Sequence, residues 1–86
     1  MITLPALCST REQAQKLMSS AQRELSPTFD LREVESTTQG FIDELCKRLM
    51  IRSVDRVSFV APSERFMDLF LQSHRIRGAR FIVERL

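Results

Sequence analysis

Strand-like and helix-like segments alternate along this chain in the order βαβαβαβ, which predicts one small α/β domain with a mostly parallel sheet covered by helices. Three observations carry that expectation. Three stretches repeat apolar residues at steps of three and four, the helical spacing. Short β-rich runs separate them, bounded by proline, glycine and serine. The chain has 86 residues, enough for one hydrophobic core and no second one, so residues 1–86 read as one domain without linker, repeat or low-complexity segment.

Ile2 to Leu7 is a short apolar run. Pro5, which cannot donate to a sheet ladder, marks it as an edge strand or an extended lead-in. Ser9 and Glu12 form a capping box ahead of a first helix. The apolar face of that helix is Ala14, Leu17, Met18, Ala21 and Leu25, with Gln13, Gln15, Lys16, Gln22 and Arg23 toward water. Ser26 and Pro27 end it, and Thr28 to Val34, carrying Phe29 and Leu31, reads as a strand.

Ser36-Thr37-Thr38-Gln39-Gly40 is a polar turn rich in capping residues that opens a second helix. Phe41, Ile42, Leu45, Cys46, Leu49 and Met50 form its apolar stripe, and Asp43–Lys47 and Glu44–Arg48 are favourable i,i+4 pairs on the outer face. Val57 to Val60 is the next strand. Pro62 and Ser63 then turn the chain into a third helix that buries Phe66, Met67, Leu69, Phe70 and Leu71. Gly78 supplies a positive φ after it, and Ala79 to Leu86, with Phe81-Ile82-Val83, closes the chain as a strand.

Composition narrows the class. Hydrophobic residues make up 43% and charged residues 28%, the profile of a folding chain rather than a disordered one. A domain of this size buries only about 60–65% of its unfolded surface, so self-association is one way for it to bury more. The net charge of +2 is too small to imply a polyanion partner by bulk electrostatics. Eleven of the thirteen basic residues are arginine, which suits bidentate contacts to carboxylate or phosphate and hints at surface recognition. Cys8 and Cys46 fit neither a metal-ligand spacing nor a dithiol pair and read as buried reduced thiols. With no leader-like segment and no membrane-length apolar run, the chain is expected in the cytoplasm, off the membrane.

The constellations of catalysis are thin. His74 is the only histidine and is expected near an exposed turn after the third helix; with no partner ligand it points to no metal site. Gly40 and Gly78 are the only glycines, so no phosphate-cradling loop or nucleophile elbow is present. Asp43 and Glu44 are adjacent on a helix and diverge by about 100°, too far to act together as an acid/base pair. They read instead as solvated partners of Lys47 and Arg48, although one of the two could turn inward to cap a neighbouring turn. The expectation is no catalysis and no cofactor, with a small enzyme subunit completed by another chain as a lesser possibility.

Two segments go beyond what a fold requires. Phe29-Asp30-Leu31, Val34, Thr37-Thr38 and Phe41-Ile42-Asp43-Glu44-Leu45 resemble the strand, turn and helix of the STAS-like family, relatives of the sulfate-transporter and anti-sigma-factor-antagonist domain. Upstream, Thr10-Arg11-Glu12-Gln13-Ala14-Gln15-Lys16-Leu17 is similar to the start of that family's preceding helix. Together these cover about half of the chain in the right order. The resemblance implies an α/β fold, no intrinsic catalysis and regulation by partner switching, with a histidine-kinase-like ATPase as the partner.

In the antagonist branch a Ser or Thr at this helix start is phosphorylated, which makes Thr37, Thr38 and, third, Ser36 the candidate phosphoacceptors here. A phosphate would meet the unpaired N–H groups of the helix start. Gln39, Gly40, Asp43, Glu44 and Lys47 are the candidate partner-binding residues. The competing reading is a nucleic-acid module built on Arg75, Arg77, Arg80 and Arg85. A strand disperses that cluster, since Arg80 and Arg85 fall on opposite faces, and the absence of Trp and Tyr leaves little to stack on bases.

Overall fold

The computed structural model describes all residues, Met1–Leu86. In chain order the elements are β1 (Ile2–Thr3), β2 (Leu7–Cys8), α1 (Arg11–Ser20), β3 (Thr28–Asp30), β4 (Ser36–Thr37), α2 (Gln39–Ile51), β5 (Arg56–Val60), α3 (Glu64–Ile76) and β6 (Ile82–Arg85). Every helix starts with the same device. Thr10, Thr38 and Ser63 sit in extended backbone, and each hydroxyl accepts the N–H three residues on, from Gln13, Phe41 and Phe66. The N-cap of α1 is therefore Thr10 rather than Ser9, and Gln13 in place of Glu12 reaches back to accept the Ser9 N–H at 2.8 Å.

All ladders are parallel. The main sheet runs β1-β3-β5-β6, and β2 and β4 form a second, two-stranded ladder. The second ladder continues the first. Leu4–Ala6 separates β1 from β2, whereas the longer 31–35 separates β3 from β4, so the register Ile2↔Phe29 becomes Leu7↔Ser36. The surplus is a turn clamped by Asp30, whose carboxylate accepts the Arg32 N–H at 3.0 Å and the Arg32 guanidinium at 2.7 Å. That clamp is why the strand expected over Thr28 to Val34 stops at Asp30. It is also why Ser36 and Thr37, expected in a turn, pair as a strand.

The first helix ends at Ser20, short of the expected Leu25. Ala21 is already extended (φ −79°, ψ 141°), and the Leu25 carbonyl accepts the N–H groups of Asp55 and Arg56 at the foot of β5. Residues serving a neighbouring strand cannot remain in a helix, so Leu25 is exposed instead of buried. The Arg52 guanidinium donates to the carbonyls of Met18 and Ala21 and closes the helix end from α2.

Strands added successively in one direction, with crossovers of one hand, put every helix on one face. α1 packs beside α2 and α2 beside α3, which makes the molecule two layers: a helix layer and a sheet with one helix-free face. Val57 and Phe59 of β5 and Phe29 of β3 are fully buried toward the helices. Alternate residues Thr28, Arg56 and Ser58 take the other face, as the period of two requires. Purely parallel sheets usually carry helices on both faces; here polar side chains take that role on one of them.

Phe59 anchors the core. Its ring lies 4.9 and 4.8 Å from those of Phe66 and Phe70 in edge-on contact and 5.8 Å from Phe29 in a stack. Of the expected α3 stripe, Phe66, Met67 and Phe70 are buried, Leu69 is half-buried and Leu71 is exposed. Gly78 has φ +65° as expected, and Ser53 and Ala61 also have positive φ. No helix is long and apolar enough to cross a membrane.

Candidate functional site

The parallel sheet directs α1 and α2 to begin side by side, beyond the β2–β4 ladder. The Thr38 hydroxyl ties the two starts together, donating to the Ser9 carbonyl at 2.8 Å while accepting the Phe41 N–H at 3.2 Å. The Arg11 side chain then passes over the start of α2. A Cβ on Gly40 would stand 3.8 Å from the Arg11 Cγ, in ordinary contact.

The charged centre of this surface is Asp43. Arg77, from just beyond α3, grips its carboxylate with Nε at 2.8 Å and Nη2 at 2.7 Å, while Arg11 donates at 2.8 Å and the Ser73 hydroxyl at 3.2 Å. Arg77 is the main reason that the carboxyl is held far below the usual carboxylate range, with Arg11 and Ser73 adding to it against the opposing effect of burial. One side chain thus joins the start of α1, the second turn of α2 and the end of α3.

Glu44 sits beside it, only 3% exposed. Burial alone would raise its pKa, but hydrogen bonds from Arg48 (2.9 Å) and Gln15 (3.3 Å) outweigh this, and Arg11 lies 3.5 Å away. The expected Glu44–Arg48 pair forms, although not on a solvated face. The expected Asp43–Lys47 pair does not: Asp43 is claimed by arginines from α1 and the end of α3, and Lys47 forms no ion pair. Arg11 touches both carboxylates, so Asp43 and Glu44 converge on one cation from different sides of their helix.

The three hydroxyls differ sharply. Ser36 is exposed on β4. Thr38 is half-buried and already bonded twice. Thr37 is buried beside the core, and its hydroxyl has no hydrogen-bond partner. The Thr37 carbonyl accepts Arg65 of α3 at 2.7 Å, which links this turn to a third helix start. Gln39 is exposed, and Gly40 and Lys47 are half-buried.

The arginines near the C-terminus do not form one free cluster. Arg77 is spent on Asp43, and Arg85 pairs with Glu64 at 2.9 Å and reaches the Pro62 carbonyl. His74 lies in the last turn of α3, near the turn at Gly78 as expected, but is half-buried rather than exposed. Its Nε2 lies 2.7 Å from the Phe81 carbonyl, and its ring meets the Phe81 ring edge-on. A carbonyl only accepts, so this nitrogen carries the proton. Cys8 and Cys46 are buried, and burial pushes each thiol up to about 11. No group of three or more His, Cys, Asp or Glu side chains is placed to hold a metal ion.

Sequence reasoning missed Arg11, Ser73 and Arg77 as partners of Asp43. The Arg77–Asp43 contact spans 34 residues, and nothing local signals it. The one available hint was the surplus of arginine over lysine. No family model, curated protein or solved structure matches the chain.

Proposed function

We infer that this chain is a non-enzymatic regulatory module that binds a protein partner on the surface where α1 and α2 begin, through the turn and helix around residues 36–48. The STAS-like resemblance suggests a histidine-kinase-like ATPase as that partner. The observation that carries the reading is the use made of Asp43. Its carboxylate is saturated by two arginines and a serine, which suits a surface of fixed shape better than proton transfer. At the start of the same helix Gln39 stands exposed, and Ser36 is exposed on the strand before it.

The geometry also ranks the candidate phosphoacceptors. A kinase could reach the Ser36 hydroxyl without moving the chain. Thr38 would first have to give up two hydrogen bonds, and Thr37 would have to leave the core. A phosphate on Ser36 would place charge beside the partner surface and repel a partner that presents carboxylates. The test is retention of host proteins by the immobilised domain, comparing the wild type with Ser36→Asp and Gln39→Arg, each shown to be folded by circular dichroism. A protein retained by the wild type and lost with either variant is the expected result. Equal retention by all three removes residues 36–48 as the contact.

A further inference from the structure

The two edges of the main sheet are built differently. At β1 the ladder is two residues long and is followed by Pro5, so that edge is blunt. At β6 it is open. The N–H groups of Ile82 and Leu86 donate to Asp55 and Phe59 at 3.0 and 2.8 Å. By alternation the backbone groups of Glu84 also face β5, and the N–H and C=O of Val83 and Arg85 point away from the sheet. The exposed apolar side chains Ile82 and Leu86 sit at the two ends of this edge, 53% and 64% exposed.

Charged residues usually guard such an edge against a second strand. Here the charges are occupied within the chain. Glu84 pairs with Arg56 and lies within reach of the Ser58 hydroxyl, and Arg85 folds back onto Glu64 and the Pro62 carbonyl. His74 holds the Phe81 carbonyl and so fixes the backbone where the strand begins.

We propose that β6 pairs with β6 of a second copy of this chain, antiparallel about a two-fold axis at Glu84, to give one continuous sheet across the dimer. The edge is self-complementary in that register. Val83 lies opposite Arg85 of the other copy, and the four outward N–H groups of the two strands meet the four outward carbonyls. Ile82 lies opposite Leu86 of the other copy, so each copy's exposed apolar ends cover the other's. The two Glu84 side chains meet on the helix-free face, each already neutralised by its own Arg56. Registers shifted either way leave outward groups unpaired or set Ile82 against Glu84. The Asp43 carboxylate is held in the helix layer, between Arg11 of α1 and Arg77 just beyond α3, and takes no part in the β6 edge, so the dimer would present it twice.

Sedimentation equilibrium of the wild-type chain is the first test, with a mass twice 10.0 kDa expected as concentration rises. Val83→Pro removes an N–H that the monomer does not use, and it should weaken dimerisation by about thirtyfold or more, since one hydrogen bond is lost from each copy. Val83→Thr keeps the N–H and should dimerise like the wild type. Amide exchange on the wild-type chain decides the matter if the proline variant does not fold. The Val83 and Arg85 amides should be protected only at concentrations where the dimer forms, and those of Ile82, Glu84 and Leu86 at all concentrations. A chain that stays monomeric, a dimer indifferent to Val83→Pro in a folded variant, a dimer protected elsewhere, or an edge protected only by an unrelated protein would each overturn the proposal.

Discussion

Asp43 shows what a single residue contributes here. Replacing it with alanine leaves Arg11 and Arg77 without their common anion, although both keep some access to water. The expected cost is about 2 kcal/mol, below the range for a fully buried pair, read by urea unfolding near neutral pH. Because its folded pKa is depressed, the unfolded chain binds the extra proton first as pH falls. Its contribution is complete above the unfolded value of about 4 and is lost progressively below it. Asp43→Asn should therefore lose less stability than the wild type between pH 6 and pH 3, the comparison to be made by urea titration at both. A parallel loss in the two proteins would show that other carboxylates govern the acid response. Thr37 works in the opposite direction. Its buried hydroxyl has no partner, so Thr37→Val should stabilise the fold by about 1 kcal/mol in the same assay.

Individual elements were legible in the sequence where the signal was local. Each helix was placed by its apolar spacing, and Pro62-Ser63 and Gly78 were recognised from the conformations their residues favour. What could not be read was where one element is cut short to serve another. The first helix stops at Ser20 because the Leu25 carbonyl is needed at the foot of β5, and β3 stops at Asp30 because that side chain turns back onto Arg32. Both are tertiary demands on residues whose local pattern continues. The positive-φ positions give a check at this scale. Gly78→Ala meets no steric obstacle but must hold φ near +65°, so thermal unfolding should reveal a loss of about 1 kcal/mol. Full retention of stability would mean that the turn after α3 readily adopts another conformation.

At the scale of the molecule, one aromatic cluster between β3, β5 and α3 ties the sheet to the helix layer. Phe59→Ala removes the ring that meets Phe29, Phe66 and Phe70, at a cost of about 3–5 kcal/mol. Small domains have little more than that in total, so the variant should lack a cooperative thermal transition by circular dichroism. The α/β order and the parallel sheet followed from alternating periodicity. The single helix layer also follows from that order, once the strands are seen to be added in one direction. The site was half legible: residues 36–48 stood out by their resemblance and their capping pattern, whereas the clamp that shapes them comes from Arg11 and from Ser73 and Arg77 at the far end of α3. Amide hydrogen exchange on the domain, alone and bound to a protein it retains from its host, tests the proposed interaction surface most directly. Slower exchange on binding should be concentrated in residues 36–48, and unchanged exchange there with protection on the helix-free sheet face would contradict the assignment.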